Sequence, residues 1–187
     1  MNEILEYFKN IFIIMIILMP IYFIIRYKIL KIKPTNKKRE ILLVVFILYM
    51  IALTLQIVTP KFIIDMNGIH IIHQDLDNIN IIPFYFFYDI YNECFVMKNY
   101  NYFFINIIGN IILFIPIGIF LPLLWNVSYK KTMMYGILFS IIVEIIQIWL
   151  PRVTDIDDVI LNNIGVFIGT RIHKYCIANN KKERVDN

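Results

Sequence analysis

Five long apolar runs constrain the fold of this chain more than any other feature of its sequence. A helix that crosses the hydrocarbon core of a bilayer needs roughly 20 predominantly apolar residues. The stretches that meet or approach this length are 4–25, 41–59, 103–124, 132–150 and 157–178. The last is the weakest, because its first turn holds acidic residues. The sequence therefore predicts an all-α, polytopic membrane helix bundle with about five transmembrane helices.

The composition indicates one membrane domain and no separate soluble domain. Apolar residues make up 59% of the 187 positions, compared with about 45–50% in soluble domains. Isoleucine and phenylalanine are spread over the whole length. We therefore interpret residues 1–187 as a single integral membrane domain. The net charge of +4 does not indicate a nucleic-acid partner, because the basic residues lie in short loops, where membrane topology explains them.

The distribution of lysine and arginine predicts the orientation of the helices. Cytoplasmic loops carry an excess of these two residues. Three basic clusters, in 26–40, in 130–131 and in 171–184, fall on one side of a five-helix path. The opposite side receives only four basic residues against many acids: Lys9, Lys61, Lys98 and Arg152. We therefore expect the N-terminus outside the cell and the C-terminus in the cytoplasm.

This topology makes loop 60–102 extracytoplasmic. The dipeptide Asn67-Gly68 stands between apolar flanks, which is a signal for a short β-hairpin. The aromatic residues of 84–88 suit the membrane–water interface, and Pro83 and Asp89 interrupt a stretch that is too short to span. The sequence predicts a short helix lying on the outer surface here.

No metal site or cofactor is expected. His70 and His73 have the i, i+3 spacing, but the residues around them are strand-like and no third ligand has a matching spacing. We interpret them as ordinary polar surface. Neither an HExxH motif nor a glycine-rich phosphate loop occurs, and no nucleophile–base pair can be recognised.

Polar side chains recur at one depth in the third and fourth spans. Asn106 and Asn110 are at i, i+4 in the outer part of the third span and would share a face of an α-helix. Glu144 and Gln147 are at i, i+3 in the outer part of the fourth span. A carboxylate within a span is costly unless it is paired, so Glu144 is a candidate functional residue.

The fifth span begins with a polar stripe at the same depth. Arg152 lies at the outer rim, and Asp155, Asp158 and Asn162 follow at i, i+3, i+7, while Asp157 and Asn163 point elsewhere. Asp155 or the preceding threonine can cap the helix. We infer one cluster near the outer leaflet with Arg152 as counter-charge. The predicted ligand-binding residues are Asn106, Asn110, Glu144, Gln147, Arg152, Asp155, Asp158 and Asn162; Glu144, Asp155 and Asp158 are also the catalytic candidates.

Helix-packing residues accompany this cluster. Gly165 and Gly169 form a G-x-x-x-G pair that allows a neighbouring helix to approach closely. Pro116 and Gly118 interrupt the hydrogen-bond ladder of the third span, which neighbouring groups can satisfy again.

Each polar residue also has a purely structural explanation. The acids of 155–158 can serve only as a helix cap that complements the helix dipole. Glu144 can form a structural ion pair with Arg152. Asn110 and Asn162 can act as interhelical hydrogen-bond partners, each contributing about 0.6 kcal/mol. The coincidence of eight polar residues at one depth favours a functional pocket.

At these residues the sequence strongly resembles the VanZ-like family, the membrane proteins named for an accessory teicoplanin-resistance protein. The matching segments, in order, are "NIIPF" at 80–84, "NIIGNIILFIPIGIFLP" at 106–122, "EIIQ" at 144–147 and "RVTDIDDVILNNIGVFIG" at 152–169. The VanZ-like region extends over about 41–178. Asn163 stands where the family usually has threonine. The motif carries over onto Asn110, Pro116, Gly118, Glu144, Gln147, Arg152, Asp155, Asp158, Asn162 and Gly165.

The resemblance implies a multi-pass protein of the bacterial cytoplasmic membrane that is associated with glycopeptide resistance, especially to teicoplanin. It assigns no chemical role to the motif residues. Three functions therefore remain, in this order of preference. The first is a binding protein whose outer-leaflet pocket engages a membrane lipid, a lipid-linked envelope precursor or a lipoglycopeptide antibiotic. The second is an enzyme that acts on a lipid-linked envelope substrate with Glu144 or Asp158 as acid or base. The third is a transporter, which the lack of a paired repeat disfavours.

Overall fold

The computed structural model describes residues 2–33, 36–58, 62–65, 68–71, 80–148 and 155–183. Five long helices account for most of this part of the chain. They are α1 (Asn2–Phe23), α2 (Lys37–Val58), α5 (Asn110–Trp125), α6 (Tyr129–Ile148) and α7 (Ile156–Glu183). Two of them are extended by π-helical segments: Ile24–Ile29 continues α1, and Phe103–Gly109 precedes α5. The bounds agree with the five apolar runs of the sequence.

Four helical segments of the described chain are long and apolar enough to cross a membrane: Lys9–Ile29, Lys37–Gln56, Tyr100–Trp125 and Tyr129–Ile148. Many large apolar side chains on them are exposed on the surface of the bundle, where lipid is the solvent that suits them. The fifth long helix, α7, carries acids in its first turn and packs along α5 and α6. The predicted all-α membrane bundle is confirmed.

Hydrogen bonds bring the basic segments of the chain to one end of the bundle. Arg26 and Glu40 form a salt bridge that joins the end of α1 to the start of α2. The Nη2 of Arg39 donates to the carbonyl oxygen of Leu124, 3.1 Å away at the end of α5. The basic cluster in 26–40 therefore lies at the same end of the bundle as the end of α5, which precedes the basic residues of 130–131. This is the end predicted to face the cytoplasm.

The closest pair of helices is α5 and α7, and glycine makes this approach possible. A Cβ atom built on Gly165 would overlap the carbonyl oxygen of Ile111, and one built on Gly169 would overlap that of Ile115. From the other helix, a Cβ atom on Gly118 would lie 2.9 Å from the Cα of Gly169. The two backbones are thus in direct contact, the arrangement that small residues permit in membrane helices.

Aromatic and aliphatic side chains fill the space between α2 and α5. The rings of Phe46 and Phe120 are stacked with their centroids 5.4 Å apart, and Leu53 and Phe114 are buried in the same cluster. Because lipid tails are as apolar as these side chains, the packing gains its stability from close contact more than from removal of water.

The outer loop contains short elements. Strands β1 (Phe62–Asp65) and β2 (Gly68–Ile71) form an antiparallel hairpin in which Asp65 pairs with Gly68, as the sequence predicts, although Asn67 lies outside the described residues. The predicted short helix is α3 (Phe86–Ile90), continued by the π-helical segment Tyr91–Val96 and followed by α4 (Tyr100–Tyr102). The His70 side chain and His73 also lie outside the described residues, so the interpretation of these histidines stays a prediction.

The two asparagines of the third span differ in exposure. The Asn106 side chain is exposed, whereas Asn110 is half-buried. Asn106 lies in the π-helical segment Phe103–Gly109, whose hydrogen bonds close i→i+5, and Asn110 is the first residue of α5. That both asparagines line one site stays a prediction.

Candidate functional site

The first turn of α7 is capped by Asp155. Its Oδ1 accepts the backbone N–H of Asp157 at 2.9 Å, and its carbonyl oxygen accepts that of Asp158 at 3.0 Å. These bonds satisfy donors that the start of a helix leaves unpaired. Burial raises the pKa of Asp155, while the hydrogen bonds from Asp157 and Asn80 oppose that effect.

Asp157 ties α7 to the outer loop. Its side chain is 1% exposed, and its two oxygens accept the backbone N–H groups of Phe84 at 2.6 Å and Phe86 at 2.7 Å. Phe84 has a φ of 67°, an uncommon conformation for a non-glycine residue. The helical stripe predicted that Asp157 points away from the cluster, and it gave no role to this residue. The carboxylate shapes the segment that lies over the outer end of α7.

Asn80 makes a second connection between the loop and α7. Its Nδ2 donates to Asp155 Oδ1 at 3.1 Å, and its carbonyl oxygen accepts the N–H of Ile156 at 3.0 Å. The Asn80 side chain also accepts the N–H of Ile82. Sequence reasoning recognised Asn80 only as the first letter of "NIIPF".

Two hydrogen bonds join the helices below this cap. Asn110 Nδ2 on α5 donates to Asp158 Oδ1 on α7 at 2.5 Å. One turn deeper, Asn162 Nδ2 on α7 donates to Ser140 Oγ on α6 at 2.8 Å. Ser140 was not among the site residues predicted from sequence, although it lies four residues before Glu144 and therefore on the same helical face.

Glu144 lies on α6 one turn beyond Ser140, toward the cap of α7. The side chain is 7% exposed, and its Oε2 accepts the backbone N–H of Asp155 at 3.2 Å. Among the described residues, no donor bonds to the other oxygen of Glu144 and no Lys or Arg lies within ion-pair distance of it. Arg152, the predicted counter-charge, lies outside the described residues. Gln147 is buried on the same face of α6.

An apolar groove opens beside Glu144 between α6 and α7, and we call it the α6–α7 groove. Its volume is about 180 Å³. Its lining is almost entirely apolar and includes Ile141, Ile145 and Ile148 of α6 and Ile156 and Val159 of α7; Asn80 and Glu144 stand at its edge. Most of these apolar side chains are exposed on the bundle surface, so the groove faces the surrounding lipid.

The structure gathers most of the predicted site at the outer end of the bundle. The outer polar cluster consists of Asn80, Asn110, Glu144, Asp155, Asp157 and Asp158. Of the predicted ligand-binding residues, Glu144 lines the α6–α7 groove, whereas Asn110, Asp158 and Asn162 form contacts between helices. Asn106 is exposed apart from the cluster. Within the described ranges, no group of three His, Cys, Asp or Glu side chains is placed to hold a metal ion.

A further acid lies on the neighbouring surface helix, away from the groove. Asp89 of α3 accepts a hydrogen bond from the Tyr102 hydroxyl at 3.1 Å. Burial raises the pKa of Asp89, and this hydrogen bond opposes the effect. The charges of Asp89 and of the outer polar cluster act on one another, since Asp157 raises the pKa of Asp89 and Asp89 raises that of Asp155. Glu93, whose Oε2 accepts the Nδ2 of Asn99 at 2.9 Å, is a carboxylate of the same loop that lies outside the cluster.

Comparison with known proteins identifies one family. The model of the VanZ/LLP1 family matches residues 41–177, which is most of the chain. This match contains all of the outer polar cluster and both helices that form the α6–α7 groove. No curated protein matches the chain, and no solved structure matches it.

Proposed function

The chain belongs to the VanZ/LLP1 family of membrane proteins, and on that premise we propose that it binds a lipid-bearing ligand at the outer face of the bacterial cytoplasmic membrane. We further propose that this binding contributes to tolerance of glycopeptide antibiotics of the teicoplanin type. The ligand would be a lipid-linked envelope precursor, a membrane lipid or the lipoglycopeptide itself.

A single observation carries the proposal: a buried carboxylate lies at the edge of a groove that faces lipid. Glu144 lines the α6–α7 groove, whose other walls are mainly apolar. A charged group at this depth is expensive to maintain, and no described cation offsets that cost. A ligand with a polar head and an acyl chain would fill both parts of the site at once.

The contacts around Glu144 support a preformed site. The backbone N–H of Asp155 holds one carboxylate oxygen, and Asp155 is itself held by Asn80. The loop is anchored independently through Asp157. A site that is fixed before the ligand arrives loses less conformational freedom on binding.

An enzyme that acts on a lipid-linked envelope substrate is the second candidate. The arrangement of two acids favours it: the backbone of Asp155 donates to Glu144 Oε2 and accepts the N–H of Asp158, so both acids contact the same residue at the start of α7. Paired carboxylates in different environments can divide the roles of acid and base. Asp158 bonds to Asn110 and Glu144 to a backbone N–H, so their surroundings differ.

The test is expression of the chain in a glycopeptide-sensitive bacterium. Teicoplanin carries an acyl chain that a groove at the membrane can engage, so we expect its inhibitory concentration to rise more than that of vancomycin. Equal shifts for both drugs, or no shift, would contradict the proposal. Incubation of the purified protein with labelled lipid-linked precursor separates the two candidates, because formation of a product supports the enzyme and binding without a product supports the binding protein.

A further inference from the structure

We infer that the ligand of the α6–α7 groove presents a protonated amine to Glu144 while its alkyl chain lies along the groove. This inference rests on the proposed function, since it concerns the same site. It adds the chemical class of the head group, which is cationic and donates hydrogen bonds.

The hydrogen-bond inventory around the groove is the first argument. Asn80, Asn110 and Asn162 each donate their amide N–H to an acceptor of the protein itself. Within the part of the chain that the structure describes, the Oε1 of Glu144 accepts no hydrogen bond. The group that remains for a ligand at the edge of the groove is therefore an acceptor. An ammonium group supplies three donors and no acceptor.

The charge count at this end of the bundle is the second argument. Four acids belong to the outer polar cluster: Glu144, Asp155, Asp157 and Asp158. Within the segment 149–162, one basic residue, Arg152, stands against three acids, so the sequence at the start of α7 carries an excess of negative charge. The potential at the groove therefore attracts cations and repels phosphate. A head group built on phosphate alone would meet the wrong charge.

The shape of the α6–α7 groove is the third argument. Ile141, Ile145 and Ile148 recur along one face of α6, from about one turn deeper than Glu144 to the outer end of the helix. A chain lying against them stays in contact with apolar surface while its head group reaches the carboxylate. Burial of apolar groups then adds to a charge-assisted hydrogen bond in a medium where that bond is strong.

The test uses three photoactivatable probes with the same alkyl chain and a diazirine on that chain. One ends in a primary amine, one in a carboxylic acid and one in an alcohol. Each is added at pH 7 to the full-length protein in phosphatidylcholine nanodiscs, and the labelled peptides are identified. We expect the amine to label the peptides with Ile145 and Val159 at concentrations about tenfold or more below those of the other two probes.

Two variants test whether the preference for the amine probe depends on the carboxylate of Glu144. Glu144→Gln should raise the amine concentration needed for labelling about tenfold or more. The three probes should then label the groove at similar concentrations. Glu93→Gln makes the same chemical change outside the outer polar cluster and should leave the preference unchanged. If Glu144→Gln does not fold, the series of three probes on the unmodified protein still decides the question.

The outcomes separate the inference from the proposed function. Equal labelling of the groove by all three probes would overturn the cationic head group and leave a lipid-binding groove in place. No labelling of the groove, or a groove covered by a second copy of the chain in cross-linked dimers, would overturn both. Displacement of the amine by an aminolipid supports a membrane source, and displacement by teicoplanin supports the antibiotic. Failure of both to displace it would overturn the inference.

Discussion

The carboxylate of Asp157 holds the backbone of Phe84 across 73 positions of sequence, with 2.6 Å between Asp157 Oδ1 and the amide nitrogen of Phe84. Its second oxygen holds the N–H of Phe86. One buried side chain thereby fixes the outer loop over α7. The loop in turn supplies Asn80, which lines the groove, so Asp157 sets the geometry of the site without facing it.

Asp157→Asn should lower the stability of the protein. Both oxygens of Asp157 accept backbone N–H groups, whereas an asparagine has one acceptor and would turn its NH2 toward the other N–H. A buried donor left without a partner costs about 1–3 kcal/mol. We expect a lower Tm in detergent and faster proteolysis of the loop. An unchanged Tm and cleavage rate would show that these two bonds do not anchor the loop.

Asp155→Asn makes the same chemical change two residues earlier and, unlike Asp157→Asn, should not lower the stability of the protein at pH 7. Burial raises the pKa of Asp155, so its stabilising contribution is full below the ordinary pKa of about 3.9 and is lost as the pH rises through the raised value. The asparagine keeps an oxygen for Asn80 and for the N–H of Asp157. The variant should be at least as stable at pH 7 and should show a weaker decrease of Tm between acidic and neutral pH. A Tm well below that of the unmodified protein at pH 7 would refute this explanation.

Alanine substitution of the packing glycines should destabilise the α5–α7 contact. A Cβ on Gly165 would overlap the carbonyl oxygen of Ile111, and backbone atoms cannot rotate away as a side chain can. We expect a loss of about 1–3 kcal/mol, as for other overpacked sites. Gly109→Ala is the control, because its Cβ would lie 3.6 Å from the carbonyl oxygen of Phe104. The two variants should differ clearly in Tm, and similar values would argue against backbone contact between the helices.

The orientation of the bundle predicts the side on which the C-terminus lies. The end of α7 belongs with the basic face that contains Arg39 and Leu124, since Tyr129 at the start of α6 approaches His173 of α7 with 3.4 Å between the hydroxyl and Nδ1. A reporter fused after Asn187 should be active when it requires the cytoplasm. Activity only from a reporter that requires the cell exterior would reverse the assignment.

The helices could be predicted from sequence, because a bilayer demands continuous apolar segments of about 20 residues. The depth of Glu144 followed from its distance to the end of such a segment. The contacts of the loop could not be predicted in this way. Asn80 and Asp155 are 75 positions apart, and no periodicity within one helix records which distant backbone group a side chain will meet.

The exposure of Asn106 could not be predicted from the i, i+4 spacing alone. Facial assignments assume 3.6 residues per turn, and the π-helical segment Phe103–Gly109 breaks that period just before Asn110. Hydropathy does not distinguish an α-helix from a π-helix in an apolar run. Ser140 could have been predicted from the sequence, because it lies on the same face of α6 as Glu144. A single serine in an apolar helix, however, does not by itself indicate a polar site.

The central claim is that the Glu144 carboxyl group engages the ligand, and teicoplanin tolerance in a sensitive host tests it most directly. Glu144→Gln keeps the size of the side chain and removes its charge, and Glu93→Gln makes the same change outside the outer polar cluster. With both proteins inserted in equal amounts, Glu144→Gln should lose most of the tolerance, consistent with a weakening of binding of about tenfold or more for a lost charge-assisted contact. Glu93→Gln should retain it. Full tolerance in Glu144→Gln would contradict the account.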